Sequence, residues 1–362
     1  MTIPKNMTEV TSNWLSEKLG AIVEIRWANQ IGQGVGLMGD IFRVELDCQN
    51  EAANIPSSVV VKLPSSFEEN RAQGVALGMF EAEVRFYQSL APKAPVGLPK
   101  IFHAEIEPGS ADFVIIMEDL SRLTLVSQTE GMSAGQAEAA VRVLASIHAV
   151  WWGKVQVPEL EWILAMTGPR IEYVDQLLEQ ILPVFLEGFG HCLPPGGAEL
   201  YQRFAGNYLN FNTTLAKRSP WTLAHQDYRV ENLMFGAEET GEVMVIDWQG
   251  IGRGPGAYDL AYLLGGSLDI EVRRQHESDL VTIYHEELSR NGVVDYSLKQ
   301  AFDDYGFAHL MGGLATAMVT GGSMDLSNER GKQLVETMAS RHITAALDHH
   351  GLTLADQVLA SR

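Results

Sequence analysis

Short apolar blocks and alternating apolar and polar positions fill the first third of the chain. The runs IVEIRWANQIG, DIFRVELDC and SVVVKLP are β-branched or alternating, and GQGVGLMG and NIPSS punctuate them, so the pattern predicts an antiparallel meander. From about Phe67 to Leu90 the spacing becomes helical, with Met79, Val84, Phe86, Tyr87 and Leu90 roughly at helical intervals before APKAPVGLP stops it. PKIFHAEIE and DFVIIMEDL, separated by PGSA, read as a further hairpin.

After Asp119 the period is that of helices. Ser133 is placed to cap a helix through AEAAVRVLASIHAVWW, and helical patterns recur at Ile171–Leu186, Glu199–Leu215, Ala257–Gly265, Val272–Ser289, Leu298–Met318 and Asn328–Leu347. One β island interrupts them. In WTLAHQDYRVENLMFG and GEVMVIDWQG, apolar ends enclose polar clusters, the pattern of a rigid hairpin that displays functional groups on its loops.

Composition narrows the classes. A chain of 362 residues is long enough for two structural units, and 46% apolar content is that of a globular protein. The two cysteines, Cys48 and Cys192, support neither a disulfide framework nor a structural zinc site, and with no secretory pattern at the start the expected compartment is the cytoplasm. No apolar run approaches a membrane span. With 26 basic and 46 acidic residues the net charge is −20, which excludes a sequence-independent nucleic-acid binder, since such a protein needs a basic footprint. The acidic charge is spread evenly, as it is on a surface that serves solubility.

The densest chemistry lies in HQDYRVEN, His225 to Asn232, with Asp247 fifteen residues further on in VMVIDWQ. An Asp opening a loop, an Asn five residues on and a second Asp closing the next strand supply what phosphoryl transfer requires. Those requirements are a base to orient the attacking hydroxyl and two oxygen ligands for Mg²⁺. The plain structural alternative is a turn with an Asx cap. Gly34, Gly36 and Gly39 spell GxGxxG between two strands, which excludes a Rossmann turn and fits a hairpin loop over ATP phosphates, or an ordinary glycine-rich turn.

On LASIHAVWW, LAHQDYRVENLMF and VIDWQGIGRGPGAYDLAYLL, with VVVKLP and FEAEVRFYQSL before them, the chain resembles the aminoglycoside phosphotransferase and choline kinase-like superfamily. It is most similar to the ecdysteroid kinase-like branch. The resemblance runs from about Trp14 to Leu347. It implies an α+β, protein-kinase-like, two-lobed fold. Residues 1–118 would form a small N-terminal ATP-binding lobe, an antiparallel sheet plus one helix, and 119–362 a larger, mostly helical catalytic and acceptor-binding lobe.

The same resemblance implies Asp227 as catalytic base and Asn232 and Asp247 as holders of Mg²⁺. Lys62 would meet the α and β phosphates of ATP, held by Glu83, with Glu81 as the competing partner. The backbone of Glu118 and Leu120 would contact adenine, and Met117 would line the back of that pocket; a buried strand that simply ends is the alternative. Gln226 stands where the family more often has Gly, so the loop beside the base is expected to differ. His225 is expected to brace the loop, Asp259 to cap a helix or brace a loop, His148, Trp151 and Trp152 to lie in the core and cleft floor, and His349 and His350 to be solvated.

The expected activity is ATP-dependent transfer of phosphate to a hydroxyl of a small molecule, by a monomer or homodimer. The rivals are a nucleotide-binding pseudokinase, which predicts loss of Lys62, Asp227, Asn232 or Asp247, and a metal hydrolase on His225 and Asp227, which lacks further ligands at ligand spacing. Residues 153–220 carry none of the catalytic phrases and are expected to form the acceptor wall. There Trp162, Tyr173, Phe185, Phe189, Tyr201 and Phe204, with Trp151 and Trp152 before them, favour an apolar alcohol. Helical packing is the alternative use of these rings.

Overall fold

The strand Ser58–Pro64 (β3) is buried along nearly its whole length, because both faces of its sheet are covered. In the computed structural model the described residues are 2–32, 38–48, 55–238, 241–323 and 328–361. They divide into two units. The first comprises Met1–Ala94, Leu98–Leu123 and Val245–Gly250, and the second Pro95–Gly97, Thr124–Met244 and Ile251–Arg362.

In the first unit Thr11 caps the helix α1 (Ser12–Leu19), and Gly20 ends it in the left-handed region at φ 68°. Strands β1 (Val23–Ile31), β2 (Gly39–Cys48), β3, β4 (Ile101–Ile106) and β5 (Phe113–Glu118) form one antiparallel sheet in the order β1-β2-β3-β5-β4. Val59, Val61 and Leu63 pack with Val44, Leu46, Val114, Ile116, Trp14 and Leu15 in one core. Side chains alternate across a strand, so Lys62 faces the other way. On the polar-ended face lie Phe80, Val84, Phe86 and Tyr87, all buried.

The single helix expected at 67–90 is interrupted. Helix α2 (Glu68–Ala76) stops before Gly78, which takes φ 66°, and α3 (Met79–Arg85) restarts the chain and widens into a π turn over Phe86–Leu90. Glycine adopts that left-handed conformation without a Cβ penalty. At Gly74 a Cβ would come within 2.2 Å of the Phe80 ring, so the two helices pack at glycine distance.

The second unit begins with β6 (Thr124–Leu125) and α4 (Ala134–Trp151), which opens on a capping box. Ser133 Oγ accepts from Gln136 N, and Gln136 Oε1 accepts from Ser133 N. Strand β7 (Leu164–Ala165) and helix α5 (Pro169–Phe189) follow. The helix expected at 199–215 is two, α6 (Gly197–Phe204) and α7 (Tyr208–Arg218), parted at Gly206 with φ 71°. Then come β8 (Trp221–Ala224), β9 (Leu233–Phe235), β10 (Val243–Val245) and β11 (Gly252–Pro255), which form two small sheets, β10-β9-β6 and β7-β11-β8.

Helix α8 (Ala257–Ser267) is buried on every side, as an all-round apolar helix must be. Around it stand α9 (Ile270–Arg290), α10 (Leu298–Ala308), α11 (Gly312–Ser323), α12 (Glu329–Asp348) and a final helix not expected from the pattern, α13 (Gly351–Ala360). The 298–318 pattern splits into α10 and α11, and α11 opens on two glycines in close contact, where a Cβ at Gly312 would fall 1.8 Å from the Tyr258 hydroxyl and one at Gly313 2.2 Å from the His342 ring. No helix among the described residues is long and apolar enough to cross a membrane.

Two buried histidines beside α8 are expected to make this unit acid-sensitive. Burial pushes His342 down to about 3, helped by Arg341, and burial with His349, Arg273 and His342 drives His309 well below its usual value. Both are therefore neutral in the fold, while the unfolded chain protonates them below about pH 6.5. Stability present above that pH is lost as pH falls toward the folded values, by about 2 kcal/mol at pH 5 from His342 alone. Urea midpoints at pH 7.5 and 5 should differ accordingly, and equal midpoints would contradict the neutral buried pair.

Candidate active site

The first cluster belongs to the first unit. Lys62 on β3 points at the face covered by α3, and its Nζ lies 2.9 and 2.7 Å from the two carboxylate oxygens of Glu83 and 3.1 Å from Asp247 Oδ1. Lys62 is 6% exposed and Glu83 1%. Burial pulls the lysine down, but Asp247 and Glu83 outweigh it and hold the ammonium above its usual range. Burial pushes Glu83 up, aided by Asp247 and opposed by Lys62. Glu81 instead pairs with Arg85 at 3.2 Å.

Asp247 is itself held in the left-handed region at φ 63°, where a non-glycine residue is uncommon. The next residue secures it: Trp248 is buried and stacks on Phe86 with ring centres 4.0 Å apart. Gln249 Nε2 donates to Asp247 Oδ2 at 3.2 Å. The stretch EVRFY, Glu83 to Tyr87, thus serves twice, with Glu83 on the lysine and Phe86 under the Asp247 turn. At Gly39 a Cβ would meet Leu63 O at 2.9 Å and the Lys62 side chain at 3.3 Å, so this glycine lies against the lysine. Gly34 and Gly36 lie outside the described residues.

Met117 and Glu118 end β5, with Met117 opposite Val60 and Glu118 opposite Val59. The Glu118 amide donates to Lys100 O at 2.8 Å, and Leu120, buried, accepts from Leu123 N at 2.8 Å. Just beyond Glu118, Asp119 accepts from Ser58 Oγ at 2.6 Å and Arg43 Nε at 2.7 Å, fastening the strand end to β2 and β3.

The second cluster belongs to the second unit. After β8, Gln226 turns left-handed at φ 67°, which explains why the resemblance expects glycine there. Asp259 in the first turn of α8 compensates: fully buried, it accepts from His225 N at 2.6 Å and Gln226 N at 2.9 Å. It also sits 3.2 Å from His148 Nε2, whose Nδ1 meets the Tyr284 hydroxyl at 2.8 Å. His225 Nδ1 accepts the amide of Asp227 at 3.3 Å.

The Asp227 carboxylate is fixed on both oxygens. Tyr262 donates its hydroxyl to Oδ1 at 2.9 Å, Arg229 Nε stands 3.3 Å from the same oxygen, and Asn232 Nδ2 donates to Oδ2 at 2.8 Å and to the Asp227 carbonyl at 2.9 Å. Burial lowers Arg229, but Asp227, Tyr262 and Glu231 more than reverse it, so the guanidinium stays charged. Tyr262 and Arg229 carry no role in the sequence reading. A signal for Tyr262 was present: in AYDLAYLL it follows Asp259 by three residues, hence on the same face of α8.

Arg170 at the start of α5 is another residue the sequence reading passed over; its Nη2 donates to Gln226 Oε1 at 2.6 Å. Four of the six aromatic residues singled out in the same segment are buried, whereas Tyr173 is exposed. Phe185, Phe189, Tyr201 and Phe204 are 0% exposed, and Phe185 packs on Tyr201 at 4.8 Å and on Phe189 at 5.8 Å, so they are core. His349 also differs from expectation. It stacks on His309 with centres 5.0 Å apart and lies 3.2 Å from Glu277 Oε2, whereas His350 is exposed.

Residues 33–292 match the family described as ecdysteroid kinase-like. A curated protein, the uncharacterized oxidoreductase dhs-27 of Caenorhabditis elegans, is 24% identical over 327 residues, 80% of this chain; the chain spans 39% of that relative's length. Among solved structures, a choline kinase of Cryptosporidium parvum aligns at TM-score 0.58 and 10% identity, covering 97% of this chain and 95% of that one. A GDP complex of an aminoglycoside 2'-phosphotransferase-IIIa mutant aligns at 0.53 and 12%, covering 98% of both chains. An ethanolamine kinase of Plasmodium vivax aligns at 0.50 and 13%, covering 88% and 82%. The fold is kinase-like, with an antiparallel-sheet N-terminal part and a larger helical part.

Proposed function

Because the chain belongs to the ecdysteroid kinase-like family, we propose that it is an enzyme transferring the γ-phosphoryl group of ATP to a hydroxyl of a small molecule. The observation that carries this reading is the buried Lys62, held charged between Glu83 and Asp247. Such a cation is costly to bury unless a use offsets it, and phosphate oxygens are its natural counter-charge. The solved structures support a small-molecule kinase-like phosphotransferase, and a GDP complex among them supports nucleotide use.

In this reading Lys62 meets the α and β phosphates, Glu83 keeps it aimed, and Met117 and Glu118 at the end of β5, with Leu120 just beyond it, take adenine. Asp227 orients the acceptor hydroxyl and takes its proton as the oxygen bonds to the γ phosphorus and ADP departs. Tyr262 and Asn232 leave that carboxylate one orientation, so it is presented rather than searching. Mg²⁺, a hard cation that takes oxygen ligands, is assigned to Asn232 and Asp247 and would neutralise charge on the phosphate oxygens. The donors suit it: Asn232 Oδ1 accepts no hydrogen bond among the described residues, and the Asp247 side chain is 22% exposed.

The test is ADP release by the full chain given ATP and a panel of aminoglycosides, choline, sugars and apolar alcohols, with and without Mg²⁺. Metal-dependent release stimulated by one acceptor class is expected. Nucleotide binding with no release under any condition would favour a binding module, although Lys62, Asp227, Asn232 and Asp247 are all present.

A further inference from the structure

Arg170 is the second residue of α5, half-buried, and its guanidinium reaches the residue that precedes the proposed base. A guanidinium carries five N–H donors and cannot lose its charge. Among the described residues Arg170 uses one of them, on the neutral amide oxygen of Gln226, and no Asp or Glu pairs with it. The titratable groups that face it are the phenols of Tyr258 and Tyr208, both buried.

Other buried or half-buried arginines of this unit are satisfied. Arg229 and Arg273 each have two carboxylates, whereas Arg253 and Arg341 each donate to two or more backbone carbonyls. Arg170 differs from these in holding an unbalanced charge in a desolvated place, and burial lowers its hold on the proton. Gln226 cannot relieve it. Its amide lies against Gly252, where a Cβ would fall 1.5 Å from Nε2, and that buried nitrogen has no partner among the described residues. The local group is therefore short of acceptors on both Arg170 and Gln226. Its position in the first turn of a 21-residue helix adds a further preference for negative charge.

We propose that Arg170 receives an oxyanion of the acceptor, so that the substrate is an alcohol that also bears a carboxylate or phosphate group. This rests on the reading that the acceptor hydroxyl approaches Asp227, one residue beyond Gln226. A planar guanidinium binds either oxyanion through paired N–H groups, and Gln226 sets the guanidinium's orientation. The segment 153–220 then contributes to acceptor choice through Arg170 rather than through its buried rings.

The test uses the full chain with ATP and Mg²⁺ and matched pairs of probes: mandelate with methyl mandelate, 4-hydroxyphenyllactate with its methyl ester, and glycerol 3-phosphate with glycerol. ADP release should give the anionic member of a reactive pair a kcat/KM about tenfold or more above its neutral partner, as expected for a charge-assisted paired contact. The hydroxy acids and the phosphate distinguish the two oxyanions. In Arg170→Gln the ratio should collapse to within about threefold through the KM of the anionic member, and Arg170→Lys should keep part of it. A brace for Gln226 alone would slow both members alike and leave the ratio intact, which overturns the proposal, as does any preference for the neutral members. If no pair releases ADP, calorimetric titration of the same six compounds in the presence of ADP decides. Binding of anionic members that Arg170→Gln removes supports the proposal, and binding of none overturns it. The kinase reading fails separately, if ATP is consumed with no hydroxyl compound whatever its charge.

Discussion

Asp227→Ala lowers turnover by about 10²- to 10⁴-fold and leaves ATP affinity within about twofold of the parent. The size follows from what a positioned base contributes, and the asymmetry from where the residue sits. Its carboxylate is bonded by Tyr262 and Asn232, and its assigned partner is the acceptor hydroxyl rather than the nucleotide. Steady-state kinetics and nucleotide titration on a variant with an unchanged melting profile check both halves. Near-parental turnover would remove Asp227 from the mechanism. Tyr262→Phe should act in the same direction with a smaller loss, since it removes one of the two groups on Oδ1 and leaves Arg229 and the carboxylate itself in place.

Asp247→Asn should move the Mg²⁺ optimum for activity to higher concentration by about tenfold or more, or abolish activity. The exchange preserves shape and removes the anionic oxygen that a hard cation requires. It also leaves Lys62 with one carboxylate in place of two, which weakens the charge balance around a lysine 6% exposed. Titrating Mg²⁺ against ADP release reads the effect directly. A superimposable curve would mean that Asp247 serves only the turn that carries Trp248 onto Phe86.

The pairing of Lys62 with Glu83 was legible through the resemblance: EAEVRFY offers two acids on one helix, and of these Glu83, unlike Glu81, stands three residues before the aromatic pair Phe86 and Tyr87. The Asp227 and Asn232 pair was legible from spacing, five residues apart across a tight turn. What the pattern hid were positions where glycine changed the backbone. Gly78 and Gly206 sit inside helical periodicity, yet each takes a positive φ and cuts the expected helix in two. The apolar stripe of 153–220 reported burial faithfully but could not say whether its rings faced a ligand or one another. Phe185, Phe189 and Tyr201 face one another. Arg170 and His349 were missed for the opposite reason. Nothing local marks them, since their partners Gln226 and Glu277 lie 56 and 72 residues away.

Phosphoryl transfer to an alcohol is read most directly from its product. The full chain is incubated with Mg²⁺ and ATP labelled in its γ-phosphoryl oxygens, together with the acceptor that most stimulates ADP release, and the acceptor is then analysed by mass spectrometry. The predicted result is an acceptor heavier by one labelled phosphoryl group, in a yield equal to the ADP formed and lost in Asp227→Ala. Label found only in free phosphate, with the acceptor unchanged, would contradict it.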